Sequence, residues 1–141
     1  EVRGSKGWLG IAAATSSYFE EIQGKPGMDS IRMDVMAFTL GIRPVQLGAT
    51  ELWLDGGMAV LASSEFESML GSVFAVRGEH QVSRDLSLFG QLRFFAMEHD
   101  VAAAEVWGGV RAWYLALGYR SMKFNIGPPL HGPEAALSLR F

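Results

Sequence analysis

Apolar and polar residues alternate along most of this chain with a period of two, and no helix-length segment shows a convincing 3.6-residue stripe. From Leu86 onward one parity holds Leu86, Leu88, Gly90, Leu92, Phe94 and Ala96, and the other holds Ser87, Phe89, Gln91, Arg93, Phe95 and Met97. Extended backbone sends successive side chains to opposite faces, so the segment reads as a strand with one uncharged face and one charged face. The 17 glycines are scattered inside such segments, where they would weaken a helix. Eight strands are predicted. They lie near 7–22, closed by Gly24-Lys25-Pro26-Gly27; 30–43, closed by Pro44; 51–62, followed by Ser63-Ser64-Glu65; 68–80, followed by Gln81-Val82-Ser83-Arg84-Asp85; 86–98; 103–111; 113–125; and, after Gly127-Pro128-Pro129, a last segment alternating from Pro133 to Phe141. No turn residue marks the sixth boundary, at Arg111-Ala112-Trp113.

Eight strands with short links predict one domain, an antiparallel up-and-down meander that removes its edges by closing into a barrel. In the third strand Leu52, Leu54, Gly56, Met58 and Val60 oppose Glu51, Trp53, Asp55, Gly57 and Ala59. In the second, Ile31, Met33, Val35 and Ala37 oppose Arg32, Asp34, Met36 and Phe38. The charged parities together collect Arg32, Asp34, Asp55, Arg77, Glu79, Arg93, Glu105, Arg111, Arg120, Glu134 and Arg140, six bases and five acids. A soluble barrel would turn this face to water, whereas a membrane barrel would turn it inward and give the apolar face to lipid. Three features favour the membrane arrangement. The apolar faces are built of Leu, Val, Ala, Gly and Met. The charged faces also carry many apolar residues, and lysine, the usual solvated surface charge, is limited to Lys6, Lys25 and Lys123. Aromatics near predicted strand ends, at Trp8, Tyr18, Trp53, Trp107, Trp113 and Tyr119, suit an interfacial girdle.

The final strand has an apolar parity of Ala135, Leu137, Leu139 and Phe141 against Glu134, Ala136, Ser138 and Arg140. With this ending, the stretch Gly118-Tyr119-Arg120 before a loop, and alternation along the whole chain, the sequence resembles the small bacterial outer-membrane β-barrels, OmpA- and OmpX-like. The resemblance implies an eight-stranded transmembrane barrel in a Gram-negative-type outer membrane. It implies contact with lipopolysaccharide and phospholipid, and a C-terminal signal at Leu137, Leu139 and Phe141 read by the barrel-assembly machinery. A monomer is expected.

Composition narrows the remaining classes. Charged residues make up 19% of the chain, with 12 basic against 15 acidic side chains and no basic cluster, so no nucleic-acid partner is expected. The mean hydropathy of +0.16 is high for a soluble chain of 141 residues. The polar start Glu1-Val2-Arg3-Gly4-Ser5-Lys6 is expected for the mature form of an exported protein. Cysteine is absent, which removes disulfides and thiolate sites.

The inward charges are the one constellation with chemistry to weigh. Arg93, Arg111 and Arg120 are expected to reach Asp55, Glu79 and Glu105, with Arg77 joining the network and Phe38, Phe89, Phe95 and Phe124 filling the remaining space. Near-balance of charge favours a plug over a conducting path. Leu88, Leu92, Val110, Leu117, Leu137 and Leu139 are expected to face lipid. His80, His99 and His131 lack metal-ligand spacing, and no activated nucleophile accompanies them, so no cofactor, metal or enzymatic activity is expected. The expected role is a structural envelope protein. The alternatives are a narrow solute channel, a lipid-modifying hydrolase using His99, and a soluble lipocalin-like carrier with an early Lys6-Gly7-Trp8.

Overall fold

A computed structural model describes residues 2–20, 31–63, 67–113, 115–125, 129–137 and 139–140. The chain is all-β. Eight long strands run up and down: β2 (Leu9–Glu20), β3 (Ile31–Leu47), β4 (Thr50–Ser63), β5 (Met69–Gln81), β6 (Leu86–Met97), β7 (Ala102–Ala112), β8 (Leu115–Phe124) and β9 (Leu130–Leu137). Each pairs antiparallel with the next, giving one curled, barrel-like sheet.

Two short elements add to the predicted set. β1 (Val2–Lys6) pairs antiparallel with β2, so the polar start of the chain is a strand. β10 (Leu139–Arg140) pairs in parallel with β1, Val2 against Leu139 and Arg3 against Arg140. The first predicted strand therefore begins at Leu9, and Gly7-Trp8 is a turn. Gly7 has φ +64° and Gly48, in the β3–β4 turn, has φ +58°. Glycine takes this left-handed backbone without a Cβ penalty, so each allows a two-residue hairpin.

β3 runs past the predicted stop at Pro44 to Leu47. The register shifts between Ile42 and Val45, and Pro44 sits in that irregularity, where its missing N–H costs no ladder bond. β9 begins at Leu130, inside what reads in the sequence as a loop. The sixth boundary is a tight turn after Ala112, with Trp113 at φ +51°. The tight turns at Gly7-Trp8, Gly48-Ala49, 82–85 and Trp113 share one end of the sheet, called here the turn end.

The concave face is split along its length. At the far end it is an apolar core of Met33, Val35, Ala37, Ala59, Leu61, Val73, Phe95, Met97, Val101, Ala103 and Met122, with Met69, Phe124 and Leu130 packed against it. Toward the turn end it is charged and aromatic. β6 alternates strictly between exposed and buried except at Leu92, which is half-buried. Leu88, Val110 and Leu117 are exposed on the convex face.

Three expectations about faces are corrected. Phe38 is 61% exposed on the convex face, because Met33, Val35 and Ala37 take the inward parity of β3 and leave Asp34, Met36 and Phe38 outside. Asp34 accepts a 2.5 Å hydrogen bond from Ser17 Oγ there. The side chain of Arg32, on the same parity, lies outside the described residues. Trp53 and Trp107 are buried and belong to no outer girdle, while Trp8, Trp113 and Tyr119 are exposed. The turn at Gly24-Lys25-Pro26-Gly27, Phe141, and the side chains of Tyr18, Leu137, Leu139 and Arg140 also lie outside the described residues; the backbones of Leu137 and Leu139 are in β9 and β10.

Candidate functional site: the charged half of the concave face

Registered neighbours build this site. Trp53 of β4 faces Arg77 of β5, Arg77 faces Gln91 of β6, Gln91 faces Trp107 of β7, and Trp107 faces Arg120 of β8. The adjoining inward row runs Gly41, Asp55, Ala75, Arg93, Glu105 and Met122. Glycine at 41 makes room for a carboxylate, since a Cβ there would collide with Asp55 Oδ1.

The charges meet in pairs. Arg93 Nη1 donates to Glu105 Oε1 at 3.2 Å, and Glu105 is 1% exposed. Arg120 lies 3.9 Å from the other Glu105 oxygen, contacts Glu134, and donates to Ser16 Oγ on β2. That last contact joins strands far apart in the sheet order and shows how tightly the sheet curls. Arg111 Nη1 donates to Glu79 Oε2 at 2.6 Å, and Ser87 Oγ donates to Glu79 Oε1 at 2.6 Å. Arg77 Nε is 3.7 Å from Asp55. Arg43 donates to Glu51 at 2.7 Å, nearer the turn end. These ion pairs involve five arginines and five carboxylates, so the described pairs are charge-balanced. An ion left single at such burial would cost several kcal/mol.

Aromatic rings line the same pairs. Arg120 lies 4.6 Å from the centre of the Trp107 ring, Arg111 5.1 Å from that of Phe89, and Arg77 and Arg43 lie 5.0 and 5.5 Å from that of Trp53. Phe89 packs edge-on to Trp107 with centroids 4.7 Å apart. A guanidinium over an aromatic face gains attraction without needing a second carboxylate. This explains why the two tryptophans sit inside. The signal was present in the sequence: Trp53 shares parity with Glu51 and Asp55, and Trp107 shares parity with Glu105.

All seven residues singled out as the inner network, Asp55, Arg77, Glu79, Arg93, Glu105, Arg111 and Arg120, lie on the concave side, with Arg77 near Asp55, Arg111 on Glu79, and Arg93 and Arg120 sharing Glu105. Sequence reasoning missed Ser16, Ser87 and the Arg43–Glu51 pair as members. The histidines stand apart from this site. His80 Nδ1 lies 2.8 Å from Thr50 Oγ1 at the exposed rim, and His131 Nδ1 lies 2.7 Å from the Tyr119 hydroxyl on the convex face. His99 and Asp100 occupy a turn with φ of +57° and +58°. Among the described residues no group of three or more His, Cys, Asp or Glu could hold a metal ion.

Comparison with known proteins brings no relative to this site: no family model matches the chain, and no curated protein or solved structure matches it.

Proposed function

We propose that this chain is an integral β-barrel of a bacterial outer membrane with a structural role in the envelope, and that its interior is a plug. The carrying observation is the inversion of its two faces. Among the described residues 22 large apolar side chains are exposed, including Ile11, Phe38, Leu40, Met58, Phe74, Leu88, Val106 and Leu117. In β2 to β9, the described convex side chains include only two charges, Asp34 and Lys123, both near the far end. A soluble protein rarely leaves so continuous an apolar surface to water while burying its arginines and carboxylates. A bilayer reverses that preference, because hydrocarbon replaces water outside and charge is tolerated only inside. Exposed Trp8 sits at the turn end, where an interfacial aromatic belt would anchor the barrel.

The plug reading rests on the two-part interior. Paired charges fill one half and a close-packed apolar core fills the other. A conducting path would need a continuous water column past Leu61, Phe95 and Met122, all buried. The protein is accordingly a non-enzymatic envelope component that contacts lipopolysaccharide and phospholipid and does not conduct freely. Planar-bilayer recording tests this. The expected result is silence from the wild type and from Arg93→Ala. Steady steps of reproducible size, altered by Arg93→Ala or Arg120→Ala, would make the interior a pathway.

A further inference from the structure

The charged half of the concave face is not sealed at the turn end. A pocket of about 330 Å³ opens there. Its lining includes Glu51, Glu79, Gln81, Ser87, Arg111 and Trp113. Gln46, Ser83, Arg84 and Asp85 add to its polar rim. The side chain of Arg111 is 4% exposed, and its Nε–H is buried without a hydrogen-bond partner although its Nη1 is engaged by Glu79. Two inward rows deeper, beyond Phe89 and Gly109 and outside the pocket lining, the cross-strand neighbours Gln91 and Trp107 leave Oε1 and Nε1 buried and unpartnered. Buried polar atoms ordinarily have partners, so the unpaired guanidinium N–H of Arg111 in the wall of this opening marks a place where a guest or ordered water supplies one.

We propose that this pocket binds a saccharide. Its planar polar groups are of both kinds: Arg111 and the glutamine amides donate, while Glu51, Glu79 and Asp85 accept. Sugar hydroxyls do both and satisfy such a mixed set. An anionic solute would meet three carboxylates, and a cationic one would meet Arg84 and Arg111. Trp113 adds the second element. It is 73% exposed, stands at the rim, and holds φ +51°, a backbone that a bulky residue adopts at a cost. A large indole held in that conformation beside a polar pocket offers a flat apolar face on which the C–H face of a pyranose can rest, while the hydroxyls turn toward the carboxylates and Arg111. The volume suits a unit of one or two sugar rings. The site does not depend on where the barrel resides.

Calorimetric titration of the full chain, refolded in a detergent without a sugar headgroup, tests the proposal. The probes are maltose, N,N′-diacetylchitobiose and, as a zwitterionic control, glycine betaine. The key variant is Trp113→Gly, because glycine takes the φ at this turn without strain and so removes the platform while keeping the turn. Gln46→Ala removes an exposed rim amide, and Leu117→Ala, on the convex face, is the control. Saturable binding of either disaccharide in the millimolar range is expected, weakened about tenfold or more by Trp113→Gly, weakened less by Gln46→Ala, and unchanged by Leu117→Ala. Preference for the acetylated disaccharide would identify an amino-sugar polymer of the cell-wall type as the source, and preference for maltose a neutral glucan. Absence of saturation by either sugar, equal affinity in Trp113→Gly, or tighter binding of the betaine would overturn the assignment.

Discussion

Leu92→Arg places a charge where the account puts the middle of the membrane. Leu92 lies near the centre of the 12-residue β6, on the convex parity, between Val76 of β5 and Val106 of β7. The uncharged convex run of β6 extends from Leu86 to Ala96, so Leu92 is close to its midpoint. Leu88 is four residues nearer the turn end. At ~3.3 Å per residue and a tilt of ~40°, that places Leu88 ~10 Å closer to the interface. A lipid-facing Arg costs about 2–4 kcal/mol at the midplane and about 0–1 kcal/mol near the edge. Leu92→Arg should therefore lose about 2–4 kcal/mol and Leu88→Arg clearly less. Urea titration of refolding into phosphocholine vesicles, followed by tryptophan fluorescence, measures both. In water the same face would tolerate Arg within about 0.5 kcal/mol at either position. Two near-neutral substitutions would refute the lipid-facing assignment of the convex face.

Further outcomes separate inside from outside. Phe95→Ala, in the apolar half of the interior, should cost about 3–5 kcal/mol. Phe38→Ala, on the convex face, should cost less than half as much in the same titration; equal costs would return Phe38 to the interior. Glu105→Ala should lose about 3–5 kcal/mol, because it leaves Arg93 and Arg120 beside a missing carboxylate. The double variant Arg93→Met with Glu105→Ala should recover part of that loss, since Arg120 keeps Glu134 and Ser16; a strictly additive double-mutant cycle would show that the pair is not coupled.

Much of the fold was legible because period-two alternation is a direct consequence of extended backbone. The inner charges were legible for the same reason, each standing at even spacing from the next inward residue of its strand. The misreadings have a common source. In β3 both parities are largely apolar, and in the sequence Asp34 reads as the mark of an inward face. A single carboxylate near a strand end can instead sit outside, where Ser17 bonds it. Trp53 and Trp107 read as girdle residues by type alone, although their parity already places them beside Asp55 and Glu105. The division of the interior was also written in the chain. Along the inward parity of β4 the order is Trp53, Asp55, Gly57, Ala59, Leu61, and along that of β6 it is Gln91, Arg93, Phe95, Met97. Each runs from polar or charged to apolar, and the antiparallel register gathers the apolar ends into one core. β1 was not legible, because Val2–Lys6 is short and polar, and its pairing with β10 depends on the curl of the whole sheet.

The absence of cysteine makes site-directed spin labelling the most direct test of the central claim, that the convex face meets hydrocarbon. Single cysteines introduced in turn from position 86 to position 96 of β6, labelled with a nitroxide and refolded into vesicles, report collision with oxygen dissolved in the bilayer and with a water-soluble nickel chelate. The account predicts a period of two, with oxygen collision high at 88, 90, 92 and 94 and low at 87, 89, 91, 93 and 95, and with the chelate least effective near 92. High chelate collision at the even positions throughout would place the convex face in water and contradict the account.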